Sequence, residues 1–303
     1  MRVAVTGATG TLGRSVVRAL GDRGDEVVAL SRDPDGARSH LPPGVEVLAW
    51  ADPKGQAAPA AAFEGADGVV HLLGEPVAQR WSDSARREIR ESRVAGTRNL
   101  VEGLKSSGPR MRVLVSQSAI GYYGAHGDEP VDERTPAGDD FLAGVVVAWE
   151  AEARRAEELG LRVALTRTGV VLSKSGGALE KMLPPFKLGV GGPVAGGRQY
   201  VPWVHQDDVV GALLFCLDND GASGPINVTA PEPVTNKELS KTLGRVLHRP
   251  AVAPVPALAL KLLYGEMGSI VTTGARAMPR RLEELGYEFR RPDLEDALRA
   301  AVG

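Results

Sequence analysis

One cysteine, Cys216, occurs among 303 residues. No intramolecular disulfide can staple this chain, so its fold must rest on packing. Cys216 sits in the apolar run Ala212-Leu213-Leu214-Phe215-Cys216-Leu217 and reads as a core residue. No apolar run reaches membrane length and no cationic, apolar leader opens the chain, so a cytoplasmic location with no membrane partner is expected. The histidines His40, His71, His126, His205 and His248 are scattered without metal-ligand spacing, so no metal is assigned. A formal net charge of −2 gives no general attraction to nucleic acid or to an anionic surface. The pairs Arg86-Arg87 and Arg280-Arg281 read as solvated helix faces. Hydrophobic residues make up 43% of the chain and charged residues 24%, ordinary for a globular protein with a sizeable core.

What the chain does have stands at its start. Val3-Ala4-Val5-Thr6-Gly7-Ala8-Thr9-Gly10-Thr11-Leu12-Gly13 reads as a buried strand, a glycine-rich turn and a helix opening near Leu12. Gly7 permits the tight turn, Gly10 lets a pyrophosphate approach the backbone, and Gly13 lets helix and strand pack closely. Thr9, Thr11 and Leu12 fall in the same turn, where the unpaired N–H groups of a helix start can receive an anion. A strand before the glycines and an amphipathic segment after them, Leu12–Leu20, give this short pattern its weight.

The second strand, Glu26–Ser31, bears on which dinucleotide. An NAD site commonly carries an acidic residue at this strand end, bonded to the ribose 2′-hydroxyl. Here the strand ends in Ser31-Arg32. Both can donate to a 2′-phosphate, and the planar guanidinium suits a phosphate well, so NADP is the expected cofactor.

Further apolar runs at Val45–Leu48, Gly68–Leu72, Arg112–Ser116 and Arg162–Arg167 alternate with helical segments at Ser84–Lys105 and Phe141–Leu159. This alternation predicts an α/β fold, a doubly wound parallel sheet of Rossmann type. Ligands of such sheets bind beyond the carboxyl ends of the strands, where Gly7, Ser31, Leu72, Ser116 and Arg167 should converge. The pattern breaks at Ser173-Lys174-Ser175-Gly176-Gly177, and proline and glycine become frequent. Residues 1–172 are therefore expected to form the NADP-binding domain. Residues 173–303 would form a smaller α/β substrate lobe, with a helix near 206–217 returning to the first. Glu238–Leu247, Ala257–Tyr264 and Leu294–Ala301 are further helix candidates.

With these segments in view, the chain resembles the extended short-chain dehydrogenase/reductase superfamily. The resemblance rests on Thr6–Gly13, Arg93-Val94-Ala95-Gly96-Thr97-Arg98-Asn99-Leu100, Ser116-Gln117-Ser118 and Trp203-Val204-His205-Gln206-Asp207-Asp208-Val209. More narrowly, it is similar to atypical epimerase-family oxidoreductases with their own C-terminal module. That match is carried by His71–Pro76, Arg80-Trp81, Ser118–Gly124, Trp149-Glu150, Pro185–Gly192, Gly265-Glu266-Met267 and Met278–Tyr287. The resemblance implies that Leu72, Leu73 and Gly74 approach the dinucleotide. It also implies that Arg93 bonds a phosphate, that Glu88 orients Arg93 or reaches adenine, and that Arg167 and Val170 line the nicotinamide end.

The resemblance also implies a catalytic Ser118 that hydrogen-bonds the reacting oxygen. The superfamily's acid/base Tyr and the Lys four residues later fall on Leu142 and Val146, which cannot exchange a proton. Tyr122 or Tyr123, in the loop after Ser118, is left as the proton source. Val201 stands where nucleotide-sugar enzymes often carry a diphosphate-binding Arg. The resulting expectation is hydride transfer to or from an unknown small carbonyl or hydroxyl compound. A non-catalytic NADP(H)-dependent regulator or scaffold is the alternative, then a nucleotide-sugar epimerase. The oligomeric state is left open.

Overall fold

Seven parallel strands form the central sheet: β1 (Arg2–Thr6), β2 (Glu26–Ser31), β3 (Glu46–Ala49), β4 (Gly68–His71), β5 (Val113–Ala119), β6 (Arg162–Thr168) and β7 (Gly224–Val228). A computed structural model describes residues 1–303 apart from Ser175, with every side chain among these except those of Ala259, Lys261, Leu263 and Tyr264. The spatial order is β7-β6-β5-β4-β1-β2-β3. The chain therefore reverses direction across the sheet between β1 and β4, and a crevice opens at their carboxyl ends. Residues such as Val3, Val5, Val70 and Val115 are fully buried, because helices cover both faces of the sheet.

The helices on one face include α1 (Thr11–Asp22), and those on the other include α2 (Asp83–Leu104) and α3 (Phe141–Arg154). Helix α4 (Gln206–Asp218) packs beside α1, burying Val209, Ala212, Leu213 and Cys216 against the sheet. Its C-terminal carbonyls are held by a strand residue. Arg162 on β6 donates to the carbonyls of Cys216 at 2.7 Å and Leu217 at 3.0 Å, and to that of Ala222 at 2.7 Å. Helix ends are capped where the sequence offers short polar side chains. Ser82 accepts from Ala85 N–H at the start of α2, and Asp140 accepts from Ala143 N–H at the start of α3. His205 caps α4, its Nδ1 accepting Asp207 N–H at 3.1 Å.

A separate apolar cluster, which includes Leu172, Leu179, Phe186, Trp203, Leu239 and Leu298, supports the later segments. The run 173–177, where a second lobe was expected to begin, includes Ser175, which lies outside the described residues. Pro184 and Pro185 do not break the chain there. They lie inside a helix over Gly177–Lys187, in its last turn, where each forgoes the N–H bond to the carbonyl four residues back. Strand β7 is an addition that the apolar pattern did not single out. Asp208 ties the C-terminal stretch to α4, accepting the backbone N–H groups of Arg290 at 2.7 Å and Arg291 at 2.9 Å. No helix among the described residues is long and apolar enough to cross a membrane.

Candidate functional site

The crevice is built from the glycine turn. Gly7 has φ +65°, and a Cβ there would lie 2.6 Å from the Leu72 carbonyl oxygen. A Cβ on Gly13 would meet the Gly7 carbonyl oxygen at 2.1 Å, so the helix can start only this close to the strand if it is bare. Gly10 differs: its φ is −69°, and an added Cβ would meet only the Gly7 carbonyl oxygen, at 3.3 Å. No side chain caps α1 and no acid stands in its first turn. The helix start thus presents its amide donors and positive dipole end to the crevice without an internal anion. This cradle fits a dinucleotide pyrophosphate.

Gly7, Gly10, Thr11, Leu12, Gly13, Leu72, Leu73, Gly74, Arg93 and Ser118 all line this one cleft. His71 secures the far wall. Its Nδ1 lies 2.7 Å from Thr6 Oγ1 and its Nε2 2.8 Å from Thr97 Oγ1, while Thr6 Oγ1 also accepts Leu72 N–H. Burial drives the His71 pKa down to about 3, so the ring is neutral and works as a hydrogen-bonded strut between β1, β4 and α2. Arg93 donates to the carbonyls of Glu75 at 2.9 Å and Ile89 at 3.1 Å, and its guanidinium lies 5.2 Å from the centre of the Trp149 ring. Its desolvation lowers its pKa to about 10, a charge held in a place where an anion would be welcome.

Ser31, Arg32 and Thr9 lie outside this lining. Ser31 and Thr9 stand at the ends of β2 and of the turn. The Ser31 hydroxyl is engaged with Asp33, donating to its carbonyl and accepting its N–H. The Asp33 carboxylate is turned to the Gly36 N–H. Arg32 is exposed at the strand end.

Several expected roles are corrected by the packing. Glu88 does not orient Arg93; it pairs with Lys54 at 2.8 Å on the surface. Ser116 is buried and does not line the cleft. Arg167 does not line it either. Its side chain is 3% exposed and grips Glu150 with both arms, at 2.8 and 2.9 Å. A strand residue buried between Thr166 and Thr168 needs such a partner, and the paired carboxylate raises its pKa further. Arg167 also donates to the Tyr123 hydroxyl at 3.1 Å, and its guanidinium lies 3.4 Å from the centre of the Tyr122 ring. Tyr123 is fully buried and donates to Asn227 Oδ1 at 2.7 Å. Burial pushes its pKa up to about 12 despite the nearby Arg167. It lines neither the cleft nor the cavity beyond it. Tyr122 is half-buried and, like Tyr123, is absent from the lining of either cavity.

Ser118 reaches the cleft with its proton already committed. Its Oγ donates to Glu150 Oε1 at 2.6 Å, so toward a ligand it presents lone pairs rather than a donor. The sequence pattern marked Trp149-Glu150 but did not disclose this network. The clue available was Arg167 near the end of a strand buried on both faces, flanked by Thr166 and Thr168.

Beyond the cleft lies a second cavity of about 1000 Å³. Helix α3 supplies Leu142, Val145, Val146 and Trp149 to it, and the C-terminal stretch supplies residues between Gly265 and Ala275. Arg93, Ala119, Trp149 and Gly169 line both spaces. Val170 lines this second cavity, at the junction side. The Trp149 Nε1 is buried with no hydrogen-bond partner among the described residues.

The sequence model of the NAD dependent epimerase/dehydratase family matches residues 3–229, and that of a domain of unknown function (DUF1731) matches residues 255–301. The chain belongs to the epimerase family. Among relatives, the chloroplastic epimerase family protein SDR39U1 homolog of Arabidopsis thaliana is 40% identical over 100% of this chain and 87% of its own length. Human epimerase family protein SDR39U1, crystallised with NADPH, superposes with a TM-score of 0.89 at 33% identity, covering 100% of this chain and 99% of the human one. A nucleoside-diphosphate sugar epimerase from Corynebacterium glutamicum gives a TM-score of 0.78 at 34% identity, over 100% of this chain and 58% of that one. The family's Rossmann-type sheet and its C-terminal module are thus both present.

Proposed function

We propose that the protein binds NADP(H) in the glycine-lined cleft and acts as an oxidoreductase on a small molecule held in the adjoining cavity. The observation that carries this reading is the junction: a dinucleotide cleft and a large cavity share Arg93, Ala119, Trp149 and Gly169 as common wall. The uncapped start of α1 would receive the pyrophosphate, and Arg93 a further phosphate or ribose oxygen. Arg32, exposed at the end of β2 where an acid would repel it, would meet the 2′-phosphate. The NADPH-bound human relative supports this choice. When bound, the dinucleotide supplies a hydride to a carbonyl carbon or accepts one from the corresponding alcohol.

This chain's residues position rather than exchange protons. Ser118, pinned by Glu150, accepts a hydrogen bond from a ligand hydroxyl or amide. Leu142 and Val146 line the cavity where a proton donor and its partner would stand, and neither can exchange a proton with a ligand there. The same two residues favour a second reading, a non-catalytic NADP(H)-dependent regulator.

Calorimetric titration with NADPH and NADH tests the cofactor assignment, with NADPH expected to bind at least about tenfold more tightly. A screen of carbonyl compounds for NADPH oxidation then separates the two readings. Turnover supports the oxidoreductase. No turnover, together with an NADPH-dependent change in proteolysis of the C-terminal stretch, supports the regulator.

A further inference from the structure

We infer that the cavity beside the cleft is built for a neutral, mostly apolar ligand carrying a single carbonyl or hydroxyl group, and not for a nucleotide sugar. The inference deepens the oxidoreductase reading and rests on it for the ligand's orientation.

Its first support is the wall. Trp81, Phe141, Leu142, Val146, Trp149 and Ile270 come from three separate parts of the chain and enclose about 1000 Å³, the upper end of the range for drug-sized ligands. The two tryptophans and the phenylalanine offer flat faces, and the aliphatic residues of α3 fill the side where acid/base groups are missing.

The second support is how the charged groups of the lining are used. Among the described residues, Arg86, Arg93, Asp140 and Glu266 are the charged ones that border the cavity, two of each sign. Arg86 is ion-paired with Glu266 and lies 4.8 Å from the centre of the Phe141 ring and 5.7 Å from that of Trp81. Asp140 spends an oxygen on the helix start at Ala143. Arg93 also borders the dinucleotide cleft and is held there by the carbonyls of Glu75 and Ile89. A diphosphate would need a charge-assisted clamp, and of the two described cations Arg86 is neutralised by Glu266 while Arg93 is the one assigned to the dinucleotide. Burying a dianion against these walls would be strongly unfavourable.

The third support is the polar remainder. Ser269, Thr272 and Thr273 are uncharged and lie on the C-terminal stretch. They suit a modest oxygen or a water at the mouth. The ligand's reactive carbon belongs at the other end, where Ala119, Trp149 and Gly169 meet the cleft.

The test uses benzophenone, a neutral aromatic ketone that cross-links to nearby C–H bonds on irradiation, with UDP-glucose as competitor. The full-length protein without added dinucleotide is irradiated, digested and mapped by mass spectrometry. Cross-links are expected within residues 141–149 and 265–275, unaffected by excess UDP-glucose. Leu142→Glu adds an acid in the first turn of α3, where a helix tolerates it, and should reduce labelling by about tenfold or more. Ile270→Glu, from the C-terminal stretch, should do the same. NADPH affinity, measured separately on each variant, should be unchanged, because neither residue lines the cleft.

Cross-links elsewhere, labelling unchanged by both variants, or displacement by UDP-glucose would overturn the inference. If benzophenone labels as expected but NADPH does not bind, the cofactor reading fails while the ligand class stands. If NADPH binds and benzophenone does not label the cavity, the ligand class fails alone.

Discussion

Replacing Glu150 by Gln is the sharpest perturbation available, because one carboxylate holds three groups. It accepts Nε and Nη2 of Arg167 and the hydroxyl of Ser118, at 2.8, 2.9 and 2.6 Å. Side-chain exposure is 3% for Arg167 and 6% for Glu150, so water cannot take over the lost contacts. Glutamine keeps the volume and one oxygen, but it turns an N–H₂ toward groups that are themselves donors. The guanidinium then carries an uncompensated buried charge, which costs about 3–5 kcal/mol. For a chain of this size roughly 2 °C of melting temperature accompanies each kcal/mol, so a fall of roughly 6–10 °C is expected. Calorimetry at neutral pH reads it directly. Adding Arg167→Met to Glu150→Gln removes the stranded charge and should recover part of the loss, with a coupling of about 0.5–3 kcal/mol. A single-variant shift below about 2 °C, or a double variant no more stable than Glu150→Gln, would refute the view that this pair is a buried, mutually dependent unit.

Three other outcomes follow from the same geometry. Arg32→Ala should lower NADPH affinity by about 1.5–3 kcal/mol and leave NADH affinity nearly unchanged in parallel titrations, since only a 2′-phosphate would use that side chain. Gly10→Val puts its first carbon 3.3 Å from the Gly7 carbonyl oxygen, a tight contact that a small backbone shift relieves, so the variant should stay folded and yet show no saturable NADPH fluorescence change. His71 has a folded pKa of about 3, below its unfolded value, so the unfolded chain binds the extra proton between these values. Its contribution is therefore lost as pH falls below about 6.5, reaching about 2 kcal/mol by pH 5. His71→Gln should flatten the pH dependence of the melting temperature in that window, and an identical slope in parent and variant would count against a buried neutral ring.

Much of the sheet was legible because parallel strands buried on both faces write themselves as unbroken apolar runs, as in Val27-Val28-Ala29-Leu30 and Val113-Leu114-Val115. The glycine turn was legible for a different reason: contacts as short as the one at Gly13 leave no room for any other residue. Strand β7 was not, since Gly224-Pro225-Ile226-Asn227-Val228 opens with two residues that usually mark a turn. The candidate site divided the same way. Leu72 follows from its place at a strand end and Gly74 from the family resemblance, and both line the cleft. Side chains whose direction depends on a distant partner did not follow. Arg167 turns to Glu150, Glu88 to Lys54, and Tyr123 to Asn227, each across 17 residues or more of chain. Gly265-Glu266-Met267 marked the C-terminal stretch as part of the family pattern, but its role as a cavity wall was not legible, because it becomes a wall only when docked against α2 and α3.

The place of β7 has a consequence for how this protein can be divided. The strand that closes one edge of the nucleotide-binding sheet is encoded after the excursion through residues 170–223, and Asn227 on it receives the Tyr123 hydroxyl. A fragment ending at residue 172 would expose the outer edge of β6 and strip Arg162 of the carbonyls of Cys216, Leu217 and Ala222. Bare parallel edges of that kind invite pairing with other chains. The two halves of the sequence are thus not interchangeable modules. Replacing the segment between β6 and α4 requires keeping both β7 and α4 with the sheet, so recombination at a single crossover yields an incomplete sheet, whereas an exchange at two crossovers, one after β6 and one before α4, leaves it whole.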